Sequence, residues 1–213
     1  MVVRSVPQLR PLGERSRLRQ RLGVSEGAVV LLYQGLVNHG RGLSQMIEAV
    51  SHVPEVHFAV QGMGPTVDAF LDRVAASPAR GRIHYLGKAP QEELHDWASG
   101  ADIGDLVIEN TSLNNYLAAP NKLFGYMMAG VPTLASDFPE MASILGEGPA
   151  GITVDPASTG SIVEGLRSLA VDRDLRERMG ANARLLAETR YNWDIEKQKR
   201  LMLRGVAARV GAQ

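Results

Sequence analysis

The stretch "AVVLLYQGLVNHGRGLSQMIEA", residues 28–49, changes character at its first glycine. Before Gln34 the run is apolar and rich in Val and Leu, the pattern of a strand buried on both faces. Gly35, Gly40 and Gly42 follow, and a helical pattern takes over. The same unit recurs. Further strands read at "VHFAVQG" (56–62), "RIHYLG" (82–87), "DIGDLVIE" (102–109), "VPTLAS" (131–136) and "GITVD" (151–155), each followed by a helical pattern. Strand and helix in alternation predict an α/β fold: an open, doubly wound parallel sheet of about six strands with helices on both faces. Such sheets bind ligands beyond the carboxyl ends of their strands, so the loops after each strand are where chemistry is sought.

Composition sets the frame. A chain of 213 residues, 45% of them hydrophobic, can bury roughly 70% of its unfolded surface, enough for one core. Cysteine is absent, which removes disulfides and thiolate metal sites. No apolar run approaches the ~20 residues of a membrane span, and the start lacks the apolar core of a signal peptide. The expectation is a soluble, cytoplasmic protein. Lys plus Arg equals Asp plus Glu at 23 each, so no overall field attracts nucleic acid, and none is expected as a partner. Arg4, Arg10, Arg15, Arg17, Arg19 and Arg21 crowd the beginning, either as a solvated helix face or as a contact for an anionic surface or partner. Residues 1–27, with Pro7 and Pro11, read as a linker and short helix, which implies a preceding part of the protein. Residues 28–190 read as the main domain. Residues 191–213 read as a C-terminal helix packed through Ile195, Leu201, Leu203 and Val206.

The loops supply the candidate site. The N–H groups and positive dipole end at the helix start after Gly42 suit an anion, and Arg41 beside them can grip phosphate oxygens in pairs. The spacing fits neither the Walker pattern nor the dinucleotide fingerprint, so an ordinary turn remains the alternative. Gly62 and Gly64 in "GMGP" repeat the arrangement. Leu86, Gly87 and Lys88 precede a helix expected near Pro90, where a flat base could lie. The amide-rich loop "IENTSLNNYLAAPNKLFG" offers Asn114, Asn115 and Asn121 for sugar hydroxyls, and the helix after Pro120 aims a second set of N–H groups at the same place. His39, His52, His57, His84 and His95 show no metal-ligand spacing.

Several blocks in order carry a family resemblance: "YQGLVNHGRGLSQMIEAV", "LG" followed by "QEEL", "IENTSLNNYLAAPNKLFGYMMAGVPTLASDFPE", and the closing "MGANAR" and "YNWD". Together they resemble the C-terminal, Rossmann-like half of family 4 retaining glycosyltransferases, which have the two-domain GT-B fold. The resemblance implies transfer of a sugar from a nucleotide diphosphate sugar, as substrate, without a cofactor or required metal. It implies that Arg41 is catalytic, neutralising the diphosphate and stabilising the leaving group. Gly35, Leu36, Gly62 and Gly64 would flank the diphosphate and nucleotide. Leu86, Gly87, Lys88 and Leu94 would line the base pocket. Asn114, Asn115, Tyr116, Leu117, Ala118, Ala119, Pro120, Asn121 and Lys122 would hold the sugar and distal phosphate, with backbone amides at 117–119. The partners implied are the nucleotide-sugar donor and an N-terminal acceptor-binding domain. The product implied is a cell-envelope glycan or glycolipid, and the full-length protein would touch the inner face of the membrane peripherally.

Three departures stand out. The family's two glutamates, with seven residues between them, would fall at Leu117 and Gly125. The second contacts the donor ribose, so Gly125 removes a carboxylate from the nucleotide site. Gly125 reads as a relaxed or weakened site, an altered residue, or a glycine that permits close helix packing. Leu36 stands where many members place an arginine. The acceptor-binding half is missing, so the chain alone is expected not to turn over. A non-catalytic nucleotide-sugar-binding or partner-interaction module is the alternative.

Overall fold

The structure, a computed structural model, describes residues 3–210, with side chains to residue 202. The six apolar runs become β1 (Val29–Gln34), β2 (Val56–Gln61), β3 (Ile83–Gly87), β4 (Ile103–Leu106), β5 (Thr133–Ser136) and β6 (Gly151–Val154). They form one sheet in the order β3-β2-β1-β4-β5-β6, parallel throughout. The chain therefore builds outward from β1 to β3, returns to the middle, and builds the other way. The reversal lies between β1 and β4, which pair at Leu31↔Ile103 and Leu32↔Gly104. A crevice opens at such a switch point.

Side-chain alternation places β1 in two cores at once. Val29, Leu31 and Tyr33 pack with Phe58, Val60 and the helices α2 (Leu43–Ser51), α3 (Val67–Ala76) and α8 (Thr159–Val171). Val30 and Leu32 face the other way, with Ala59, Leu18 of α1 (Ser16–Leu22), Ala98 of α4 (Leu94–Ser99) and Tyr126 of α6 (Asn121–Met128). A third cluster joins α6 to α7 (Pro139–Gly146) and α9 (Arg173–Thr189) around Leu106 and Ala135. The helix expected near Pro90 starts with a 3-10 turn at Gln91–Glu93, and α4 proper begins at Leu94.

The basic start of the chain is largely tied into the domain, although Arg10, Arg15 and Arg21 remain exposed. Arg15 and Arg19 reach Asp102 at 2.6 and 2.5 Å, and the same carboxylate accepts the Val30 N–H at 2.8 Å. Arg17 pairs with Glu93 and stacks 4.5 Å over the Trp97 ring. Arg4 pairs with Glu140 at 3.1 Å, and Arg10 donates to the Glu92 carbonyl at 3.0 Å. Only Arg21 of this group is exposed without a recorded pairing among the described residues. The arginines fasten the first segment to the domain.

The last helix, α10 (Trp193–Val210), keeps Ile195 half-buried and Glu196 buried against Lys199 at 2.6 Å. Leu201 is 57% exposed, so the expected apolar stripe is uncovered at that point. The side chains of Leu203 and Val206 lie outside the described part of the structure. Among the described residues no helix is long and apolar enough to cross a membrane.

Asp102→Ala would leave the buried Arg19 guanidinium without its carboxylate. A loss of about 3–5 kcal/mol is expected, measured as a lowered midpoint in urea unfolding.

Candidate functional site

Backbone hydrogen bonds latch the loops at the carboxyl edge of the sheet together. Gly35 N–H donates to the Gln61 carbonyl at 3.0 Å, Gly62 N–H to Gly87 at 2.8 Å, and Val37 N–H to Met63 at 2.9 Å. On the far side of the switch point, Glu109 N–H donates to Gly40 at 3.0 Å, and the Ser136 hydroxyl bridges the N–H and carbonyl of Ile108. The loops after β1, β2 and β3, and those after β1, β4 and β5, thus form a cross-tied rim. Gly62 and Gly64 serve this rim: a Cβ on either would lie about 2 Å from the carbonyl oxygen of Gly35 or Val37.

Gly42 fixes the centre of the rim. Its φ of 68° is left-handed, and a Cβ there would stand 2.0 Å from the Val107 carbonyl oxygen. Only glycine lets α2 begin this close to the end of β4. The helix starts without a side-chain cap, so its first N–H groups face the crevice at the positive end of the dipole. Arg41 stands at this entrance, half-buried, with no ion pair or hydrogen bond recorded to any described residue. α6 likewise begins without a side-chain cap.

Beneath the rim lies a buried polar group that the sequence reading did not assemble. Tyr126 accepts the Gln34 N–H at 3.0 Å and donates to the Leu32 carbonyl at 2.8 Å. Gln34 donates to Gln61 at 2.7 Å and to the Leu94 carbonyl at 2.9 Å. Asp105 is fully buried: Oδ1 accepts the Val107 N–H at 2.9 Å, and Oδ2 has no partner. The Lys122 amino group is also buried without a hydrogen-bond partner, 3.8 Å above the Tyr33 ring. Burial pushes the Asp105 carboxyl up to about 6, against the pull of Lys122. Burial pulls the Lys122 amine down to about 8, against Asp105 and with help from Arg41. A charged residue inside the apolar run "DIGDL" was the available signal for this pair.

The loop after β4 is more ordered than expected. Ser112 caps a short helix, α5 (Leu113–Tyr116), by accepting the Asn115 N–H. The Leu117 and Ala118 amides, expected to face phosphate, are taken up by the carbonyls of Leu113 at 3.0 Å and Asn115 at 3.4 Å. Asn115 turns its side-chain donor inward, to Glu109 and Thr111, while Asn114 and Asn121 stay exposed. Tyr116 packs on Phe138, ring centroids 5.3 Å apart. Ala119 and Pro120 are half-buried at the entrance to α6, and Leu36 and Leu117 are exposed. At the base end, Gly87 is in the rim, Leu86 packs on the second core, and Lys88 is exposed. A cavity of about 630 Å³ adjoins α5 and is lined by Gln45, Glu109, Tyr116, Asp137 and Asp155. Among the described residues no three His, Asp or Glu side chains converge on a metal position.

Gly125 faces open space, with nothing within 4 Å of a Cβ built on it. That rules out the reading in which this glycine permits close packing.

A match to the family described as glycosyl transferases group 1 runs over residues 14–186. The chain belongs to that family. Among its curated relatives, this group 1 chain is 26% identical over 182 residues to an alpha-D-kanosaminyltransferase of Streptomyces kanamyceticus, covering 84% of this chain and 45% of the relative. It is 26% identical over 185 residues to a D-inositol 3-phosphate glycosyltransferase of Xylanimonas cellulosilytica, covering 84% and 43%. It thus spans less than half the length of these two relatives. Its fold matches Anabaena Alr3699/HepE, solved with UDP and glucose, at a TM-score of 0.74 and 18% identity over 89% of this chain and 51% of the other. It also matches the C-terminal domain of LpcC from Francisella tularensis at 0.71 and 20% identity, covering 87% and 96%. The architecture is the Rossmann-like C-terminal half of the GT-B fold.

Two measurements follow for this group 1 chain. Gly125→Ala has room and helical backbone, so it should raise stability by about 0.5–1 kcal/mol in urea unfolding. Asp105, raised, favours the fold below its ordinary 3.8, and that contribution is lost as pH rises through about 6. Lys122, lowered, favours the fold above its ordinary 10.5, and that contribution is lost as pH falls through about 8. Near neutrality both are charged and both oppose folding. An Asp105→Leu, Lys122→Met pair is therefore expected to unfold about 1–4 kcal/mol later than the parent at neutral pH. The gain should shrink towards acid pH, where Asp105 is already neutral in the parent.

Proposed function

We propose that this chain is the donor-binding half of a retaining glycosyltransferase that takes a sugar from a nucleotide diphosphate sugar. The observation that carries the reading is Arg41: a half-buried guanidinium without a recorded carboxylate partner, at an uncapped helix start, held in place by the contact of Gly42 with Val107. A diphosphate satisfies both features, and its growing negative charge on departure is what a preorganised guanidinium stabilises. Lys122 lies close enough to feel Arg41 and adds a second cation beneath the same entrance. UDP and UDP-glucose in the Anabaena Alr3699/HepE structures support a nucleotide sugar as the ligand class.

The acceptor would come from the other half of a GT-B enzyme, as the share of each relative covered by this chain suggests. Bringing two reactants together needs both halves, so acceptor-dependent transfer by residues 1–213 alone would overturn this part of the reading. By family analogy the product is a cell-envelope glycan or glycolipid, made on the cytoplasmic side with peripheral contact to the membrane. A second reading, a nucleotide-sugar-binding or partner-interaction module without turnover, is favoured by Gly125, which leaves the ribose end without the carboxylate the family resemblance places there.

Calorimetric titration of UDP, GDP and ADP tests the site. Binding of one base is expected, weakened about ten- to hundredfold in Arg41→Ala and strengthened to a similar degree in Gly125→Glu. No binding of any of the three by either parent or Gly125→Glu would overturn the donor-site reading. Sugar transfer restored by adding an N-terminal half separates the enzyme from the module.

A further inference from the structure

The opposite, amino edge of the sheet holds a second cavity, of about 900 Å³, whose wall carries four arginines: Arg15 and Arg19 from the first segment, and Arg173 and Arg176 from the start of α9. Three carboxylates share the wall, and two of them are already engaged. Asp102 is held between Arg15 and Arg19, and Glu177 by Arg173 at 2.7 Å. Arg19 is spent in the wall, with Nη1 on the Ser25 and Ala28 carbonyls and Nη2 on Asp102. The other three keep donors in reserve.

Arg15 uses only Nη2, Arg173 only Nε, and Arg176 only Nη1, which caps the Leu169 and Ala170 carbonyls at 2.6 and 2.8 Å. Among the described residues, Nε and Nη1 of Arg15, both Nη of Arg173, and Nε and Nη2 of Arg176 have no recorded acceptor. Arg15 and Arg173 are 63% and 80% exposed, so their donors are open to a ligand from solvent. Burial, and then the guanidiniums of Arg173 and Arg15, hold Arg176 below its usual range even though Asp102 acts the other way. Like charges crowded around an open space with unused, forked donors match a tetrahedral oxyanion.

We propose that this cavity is an anion site taking a phosphate group, with Arg15, Arg173 and Arg176 as its ligands. The site lies across the sheet from Arg41 and is independent of the donor reading. A bound phosphate would bridge the first segment and the start of α9, both of which line the cavity.

The test titrates orthophosphate and pyrophosphate into the purified chain and into Arg41→Ala, because Arg41 is another place where such ions can bind. Saturable binding that survives Arg41→Ala and weakens about tenfold in each of Arg15→Gln and Arg173→Gln is expected. A cooperative urea transition in each variant confirms that the fold is intact, Arg15→Gln being allowed a lower midpoint because it also gives up the ion pair with Asp102. Flotation with vesicles of phosphatidylglycerol and phosphatidylcholine distinguishes the sources of the phosphate. Vesicle binding lost in the same two variants assigns a lipid headgroup, and free-ion binding without flotation assigns a soluble phosphate compound. No saturable binding in the Arg41→Ala background, or binding unchanged in an Arg15→Gln, Arg173→Gln double variant, would overturn the proposal.

Discussion

The contact of Gly42 with the Val107 carbonyl is the constraint on which the carboxyl edge depends. It closes the distance between two loops that belong to opposite halves of the sheet. The start of α2, the position of Arg41 and the hydrogen bond from Glu109 to Gly40 all require that closeness. A single methyl group there would part the two halves at the point where the strand order reverses. The crevice is thus made by backbone, and the side chains are set into it.

Strand β4 carries a carboxylate near each end, and the two are treated in opposite ways. Asp102, at the amino edge, accepts from two guanidiniums and one amide. Asp105, three residues later, is more deeply buried and accepts from one amide, leaving an oxygen unsatisfied beside an amine that is unsatisfied too. Native proteins satisfy nearly all such groups, and exceptions gather where chemistry is done. The stable end of β4 and the strained end coincide with the back of the domain and its crevice.

Much of the fold was legible because parallel strands buried on both faces leave continuous apolar runs, and glycine marks where each run stops. All six strands lie within those runs. The site was legible where one residue carries the chemistry, as with Arg41 before Gly42. It was hidden where chemistry is assembled from distant residues: Asp105 comes within electrostatic reach of Lys122 and Tyr33 only after the sheet has brought β1, β4 and α6 together. Local sequence also misled. The asparagines after β4 suggested free amides, but Ser112 and Thr111 supply short-range partners that wind the segment into α5. Likewise the arginine-rich start looked like a solvated surface, because the carboxylate partners Glu93, Asp96, Asp102 and Glu140 are far away in the chain.

The order of the strands also has a bearing on how the chain is made. Strands β1 to β3 are complete by residue 87, and β4 to β6 occupy 103–154, so each half pairs its strands within a short span. In the sheet, the pairing of Leu31 with Ile103 and Leu32 with Gly104 joins them. Because synthesis runs from the amino end, the first half can collapse while the second is still on the ribosome. It then waits with one side of β1 unpaired. The closure of β1 on β4 is the strand pairing of greatest sequence separation, the kind of contact that slows folding, and until it forms one edge of β1 is open.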